Sequence, residues 1–235
     1  MGSTSVTALT AADGLEVVAQ VDVDDSLEAV TDAGADVALD FTQPHVALEH
    51  VRWCVERGVH VVVGTSGFDD ARIAEVRALL DEHPEVGVLV VPNFSIGAVL
   101  MMKFAAEAAP WFESVEVVEM HHPDKIDAPS GTATRTAELI AEARASAGVA
   151  VPPDATTTDP DGARGAKVAG VSVHALRARG YVASQEVVLG GAGETFTIRH
   201  DSHDRESFMP GVVAAVRAAP ERPGLTVGLD VVLGL

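Results

Sequence analysis

Short apolar runs alternate with amphipathic stretches along the first hundred residues. The runs at 16–22, 36–41, 59–63 and 86–91 are rich in Val and apolar on both faces. That is the pattern of strands buried inside a parallel sheet. Helical patterns lie around them. Residues 3–12 read as a helix leading into the first strand. Residues 44–57 read as a second helix, with Thr42 as its expected cap, Pro44 in its first turn and Gly58 closing it. A third spans 69–82 and is stopped by Pro84. Alternation at this spacing predicts βαβ units in an α/β fold, a Rossmann-like doubly wound parallel sheet.

After Asn93 the pattern changes. Long helices are expected over 96–112 and 130–147, with a strand at 115–120 between them. A loop rich in Pro, Asp, Thr and Gly follows at 149–165. Three strand-like stretches, 171–177, 182–189 and 194–201, come next with only turns between them. That spacing predicts a mixed or antiparallel sheet in a second, α+β domain. The stretch 211–217 is helical and 223–235 is apolar, and both are expected to return to the first domain. The expected division is 1–95 with 206–235, and 96–205.

Composition narrows the function classes. The 235 residues include 35 acidic and 16 basic ones, a formal charge of −19. Such a surface repels nucleic acid and anionic membranes, so neither is an expected partner. A single Cys excludes a disulfide framework and a Cys-rich zinc site. No apolar run is long enough to span a membrane, and no leader-like segment precedes the first helix, so a cytoplasmic location is expected. The chain has three lysines, Lys103, Lys125 and Lys167, so a Lys inside a motif stands out.

One such motif runs from Glu119 to Ala133, between a predicted strand and a predicted helix. Ser130, Gly131 and Thr132 fall at the helix start, where unpaired N–H groups and the positive dipole end attract an anion. His121, His122 and Lys125 lie just upstream. The residues alone allow two readings: an anion site with its own proton source, or a helix capped by Ser130 beside surface histidines. No ligand spacing completes a metal site, and no G-x-S-x-G elbow marks a serine hydrolase. Two turns, Gly64-Thr65-Ser66-Gly67 and Pro92-Asn93-Phe94-Ser95, fall at the carboxyl ends of predicted parallel strands. Ligands bind there in open α/β sheets. Met1-Gly2 sits where a glycine-rich phosphate turn would end, and Asp22 follows about 20 residues on, the spacing of a ribose-binding acid.

Together these residues resemble the 4-hydroxy-tetrahydrodipicolinate reductase (dihydrodipicolinate reductase) family of bacterial lysine and diaminopimelate synthesis. The His-His-x-x-Lys-x-Asp-Ala-Pro-Ser-Gly-Thr block from His121 to Thr132 carries the likeness. The stretches 40–44, 63–68, 91–98 and 193–200 match in order and spacing. The resemblance covers the chain from Gly2 onward and is nearest to actinobacterial members.

The resemblance implies a two-domain oxidoreductase. A nicotinamide cofactor would lie in the first domain and a small dicarboxylate substrate in the second, with catalysis on closure. Homotetramers would form through the second-domain sheets. It makes His121 the proton donor and Lys125 the second catalytic residue. His122, Ser130, Gly131 and Thr132 become substrate contacts. Gly2, Gly64, Thr65, Ser66, Val91, Pro92, Asn93 and Phe94 become cofactor contacts, Ser66 departing from the usual Gly-Thr-Thr. An acid at Asp22 accepts a ribose hydroxyl and repels a 2′-phosphate, so NADH is expected ahead of NADPH. The family's first strand and most of its glycine-rich turn have no counterpart. The expectation is a misassigned start, with a functional protein longer by roughly a dozen residues, about one strand and its turn. The competing expectation is an impaired short form that binds a dicarboxylate or serves in assembly and holds cofactor weakly.

Overall fold

The computed structural model describes all 235 residues. In chain order the elements are α1 (Gly2–Ala11), α2 (Glu28–Asp32), β1 (Val37–Asp40), α3 (Ala47–Val55), β2 (His60–Val63), α4 (Asp70–Glu82), β3 (Gly87–Val90), α5 (Ile96–Ala108), β4 (Ser114–His121), α6 (Gly131–Ser146), β5 (Ala166–Val168), β6 (Val171–Arg177), β7 (Ala183–Gly191), β8 (Glu194–Ser202), α7 (Met209–Ala218), β9 (Gly224–Val227) and α8 (Leu229–Leu233). The chain divides into two compact units, Met1–Ile96 with Phe208–Leu235, and Gly97–Ser207.

In the first unit a four-stranded sheet runs β1-β2-β3-β9, every pair parallel. Val61, Val63, Val88 and Val90 pack with Val51, Val55 and Val76 from α3 and α4 into one buried cluster. Each buried Val side chain contributes about 1.5–3 kcal/mol relative to exposure, so the Val-rich runs are the main drive for this sheet. The apolar tail returns as β9, beside β3. A Cβ on Gly87 would lie 2.2 Å from the Ala219 carbonyl oxygen and 2.5 Å from that of Arg222, so the returning chain needs glycine here.

Three local expectations are corrected. Residues 16–22 form no strand. Exposure alternates along them, Val17, Ala19 and Val21 half-buried and Glu16, Val18 and Gln20 exposed, but they enter no ladder. Extended chain becomes strand only with a hydrogen-bonding neighbour, and β1 pairs with β2 alone. Thr42 does not cap α3, which starts at Ala47 without a side-chain cap. Its N–H and hydroxyl are taken by the Asp40 carboxylate, at 3.1 and 2.9 Å. The expected helix 96–112 ends at Ala108 and tightens into a 3-10 turn containing Pro110. Four short elements, α2, β5, β9 and α8, go beyond the sequence expectations.

In the second unit a mixed sheet runs β5-β6-β4-β7-β8, with β4 and β6 parallel and the other pairs antiparallel. Val117 lies level with Val173 on one side and Val187 on the other. This face packs on Ala105 of α5 and on Ala133, Ala137 and Ile140 of α6. The opposite face carries Glu116, Val118, His174, Glu186 and Val188, all half-buried. Arg144, buried at the end of α6, has no acid partner and donates to the carbonyls of Ala109, Phe112, Glu113 and Ala150. It fastens the start of the 149–165 loop to the end of α5. No helix is long and apolar enough to cross a membrane.

Candidate active site

The core-facing positions of β4 are Val115, Val117, Glu119 and His121, by the alternation of a strand. The same face thus runs from aliphatic core into a carboxylate and an imidazole. Glu119 is fully buried. An ionised carboxylate survives there only if its oxygens are well supplied with donors. Arg177 meets it as a two-pronged fork, Nη1 to Oε2 at 2.7 Å and Nη2 to Oε1 at 2.8 Å. The Ser130 N–H donates to Oε1 at 3.1 Å, and His121 Nδ1 lies 2.6 Å from Oε2. The parallel β4–β6 register puts Arg177 level with His121 and so places the fork.

Burial pushes the Glu119 carboxyl up, but the hydrogen bonds from Arg177 and His121 outweigh it and hold the group below the ordinary Glu value. Burial pushes His121 down. Glu119 raises it through hydrogen bond and charge, Lys125 and Arg177 lower it, and the net direction is down. The imidazole is therefore ready to give up its proton.

Downstream, the loop and the start of α6 carry the rest. Lys125 Nζ lies 2.6 Å from Asp127 Oδ1. His122 is exposed, with Asp124 3.9 Å away. The Ala128–Pro129 peptide is cis. Ser130 caps α6 by accepting the Ala133 N–H at 3.2 Å. Gly131 is exposed, and a Cβ there would meet nothing within 4 Å, so the space beside the helix start is open. The Thr132 carbonyl accepts from the Thr136 hydroxyl at 2.7 Å, and Thr136 accepts from buried Gln185 at 2.7 Å. The helix start is tied to β7 through this chain and to β4 through Glu119. His121, Ser130 and the α6 start thus form one hydrogen-bonded group, Lys125 acts on it by charge, and His122 stands apart.

The first unit holds a second set. A cavity of about 300 Å³ is lined by Met1, Phe41, Thr42, Pro44, Gly64, Thr65 and Ser66. It lies at the carboxyl ends of β1 and β2. Gly64 fits because Phe41 and Phe94 crowd it: a Cβ would lie 2.0 Å from Phe41 Cε1 and 2.8 Å from Phe94 Cε2. Those rings meet edge to face with centroids 5.4 Å apart. The Thr65 hydroxyl is committed to the buried Asp40 carboxylate, which also receives Thr42 and His50, the latter at 2.7 Å. Burial pushes Asp40 up, but Thr65, His50 and Thr42 outweigh it and the group sits below the ordinary Asp value. Ser66 is exposed. Val91 and Phe94 are buried, Pro92 is exposed, and Asn93 Oδ1 accepts the Ser95 N–H at 2.8 Å. Met1 borders the cavity and Gly2 opens α1, with open space where a Cβ would stand. Asp22 is exposed in a turn, where its Oδ1 accepts the Val23 N–H at 2.8 Å, and it does not line the cavity.

The first unit's set has the chemistry to hold a dinucleotide. A ten-residue helix start beside an open cleft suits a pyrophosphate, and the cavity, at the small end of ligand sites, suits part of a dinucleotide. Sequence reasoning missed Glu119 and Arg177, and Asp40 and His50. The available signal was an acid at a core-facing position of a Val-rich strand, which needs a partner.

The comparisons agree along the whole length. The family model described as dihydrodipicolinate reductase, N-terminus, matches residues 1–94, and that for the C-terminus matches 97–233. A 4-hydroxy-tetrahydrodipicolinate reductase of Thermobifida fusca is 60% identical over 236 residues, covering 100% of this chain and 95% of that protein. One of Nocardia farcinica is 59% identical over 235 residues with the same coverage. The dipicolinate-bound dihydrodipicolinate reductase of Paenisporosarcina sp. TG-14 superimposes with a TM-score of 0.83 at 37% identity, over 97% of this chain and 94% of that one. The chain belongs to the dihydrodipicolinate reductase family, as an oxidoreductase of lysine and diaminopimelate biosynthesis that reduces 4-hydroxy-tetrahydrodipicolinate with a nicotinamide cofactor.

Proposed function

We propose that His121 delivers the proton in this reduction and that Lys125 stabilises the charge that precedes it. The substrate is a cyclic imine with two carboxylates. The nicotinamide, when bound, supplies the hydride. Loss of the 4-hydroxyl as water makes the imine conjugated, and hydride addition to that conjugated imine leaves negative charge on the ring. The Lys125 ammonium acts on His121 by charge, and charge stabilisation where charge develops is its contribution. His121, its proton loosened by burial, then protonates the ring. The open start of α6 at Ser130, Gly131 and Thr132 holds a substrate carboxylate, with His122 at the rim. Holding the ring in a reactive pose is worth several kcal/mol, on the order of 7–11 at the limit.

Gly2, Gly64, Thr65, Ser66 and the stretch from Val91 to Phe94 hold the dinucleotide. Ser66 and the backbone of Gly64 face it directly, whereas the Thr65 hydroxyl and the Phe94 ring shape the turn from behind. Asp22 selects NADH. The uncovered face of the second sheet joins copies into a homotetramer, and the enzyme works in the cytoplasm.

The observation that carries the reading is the junction of His121 and the α6 start on one buried carboxylate. Replacing His121 with Gln tests it. Turnover is expected to fall about 100-fold or more, the scale of a lost general acid. Binding of pyridine-2,6-dicarboxylate, measured by calorimetry, should change little. Turnover within a few-fold of the parent would remove His121 from the chemistry.

A further inference from the structure

We infer that Glu119 and Arg177 are positioning residues for protonation: Arg177 fixes an anionic Glu119, and Glu119 fixes both the His121 ring and the start of α6. The inference rests on the donor role proposed for His121.

A carboxylate offers about four lone-pair positions, and all are used here. Oε1 takes Arg177 Nη2 at 2.8 Å and the Ser130 N–H at 3.1 Å. Oε2 takes Arg177 Nη1 at 2.7 Å and His121 Nδ1 at 2.6 Å. An ionised carboxylate only accepts, so Nδ1 carries a hydrogen and Nε2 is the nitrogen left for substrate. The proton moves from Nε2 of the imidazolium to the anionic ring. The Nδ1–H···Glu119 bond persists, Glu119 gains no proton, and Nε2 is reprotonated from solvent. Glu119 thus sets the tautomer and stabilises the charged imidazole without entering the transfer.

The same pair sets distances. Arg177 Nη2 also donates to the Asp127 carbonyl at 2.7 Å, which holds the loop that carries Lys125. Glu119 and Arg177 therefore place the proton donor, the cation loop and the carboxylate-binding helix start relative to one another. A 1 Å error in such a frame costs on the order of 100-fold in rate. The charges facing His121 are Glu119 on its own strand, Arg177 from β6 and Lys125 from the loop. Its neighbour on β7 is Ala183, uncharged, and the α6 start is uncharged too.

The test is Glu119→Gln in the full chain. Removing the anion leaves Arg177 and Lys125 opposing the imidazolium, so the protonated donor is lost at lower pH. Turnover should fall about 100-fold, with the alkaline limb of the kcat profile displaced downward by about one pH unit and KM changed less than kcat. Glu119→Asp, which keeps the charge, should recover part of the rate. The double variant Glu119→Gln/Arg177→Met removes the cation facing the buried site as well, so it should fold where the single variant fails, and should be equally slow. Nitrogen-15 spectra of the unaltered enzyme should show His121 with its hydrogen on Nδ1 when neutral. A neutral Nε2–H tautomer in that spectrum would overturn the inference. So would a folded Glu119→Gln or double variant with the parent's rate and pH profile. His121→Gln is assayed alongside. If it is slow while the Glu119 variants are not, the positioning role alone fails. If it keeps the parent rate, the donor reading itself fails.

Discussion

Asp22, Asp24 and Asp25 are all exposed in one short turn, and the Asp22 N–H is held by Asp25 Oδ2 at 2.9 Å. In the proposed cofactor pose, this cluster is what a 2′-phosphate would meet. Two unit charges 4 Å apart repel by about 1 kcal/mol in bulk water and about 4 at a protein surface. Each 1.4 kcal/mol is tenfold, so the kcat/KM for NADH should exceed that for NADPH by about tenfold or more. Asp22→Ser should shrink the ratio. Steady-state rates with both cofactors decide this, and a preference for NADPH by the unaltered chain would sink the assignment. At this scale the sequence was informative where chemistry is contiguous. The block from His121 to Thr132 declares itself because cations, imidazoles and a helix start crowd a dozen residues. Glu119 and Arg177 lie 58 residues apart, and only the parallel register of β4 with β6 makes them partners. A residue's type shows what it can donate or accept; its partner is a property of the fold.

Elements were legible in proportion to what they bury. The strands β1, β2 and β3 followed from Val-rich runs because each has both a parallel partner and buried positions to fill. Residues 16–22 carry a similar run and form no strand, because strand character belongs to a pair. Thr42 shows the same contest on a smaller scale: a good capping residue was drawn to the nearer, buried Asp40. The return of the tail to the first unit followed from its apolar composition, but its pairing as β9 close beside β3 did not. Gly87 makes that closeness possible, and it can be tested. A Cβ would press on two backbone oxygens, at 2.2 and 2.5 Å, which cannot swing away as a side chain can. Overpacking of this kind costs typically about 1–3 kcal/mol. Gly87→Ala should lower the melting temperature by about 2–4 °C per kcal/mol, read by calorimetry. An unchanged melting temperature would mean the tail moves aside at no cost.

For the whole molecule the decisive quantities are its charge and its uncovered sheet face. The helices α5 and α6 pack on one side of the second sheet only. The other side presents half-buried Val118 and Val188 with exposed Leu176 and Thr197. Its charges are already paired within the chain: Glu116 with Arg164 and His174, and Glu186 with Arg199 at 3.1 Å. Such a face is suited to a second copy, since joining it removes apolar surface without stranding unpaired charge. Each copy carries a formal charge of −19, which opposes association at long range. Salt shortens that range, from about 30 Å at 0.01 M to about 8 Å at 0.15 M. The proposed tetramer should therefore strengthen as salt is added, the reverse of an assembly held by ion pairs between copies. Sedimentation velocity across that salt range reads this directly. Val188→Lys, on the uncovered face, should yield a folded chain that stays smaller at every salt concentration. If Val188→Lys assembles like the parent, the interface lies elsewhere. If the parent comes apart as salt rises, pairing of charges between copies, not burial of this face, holds them together.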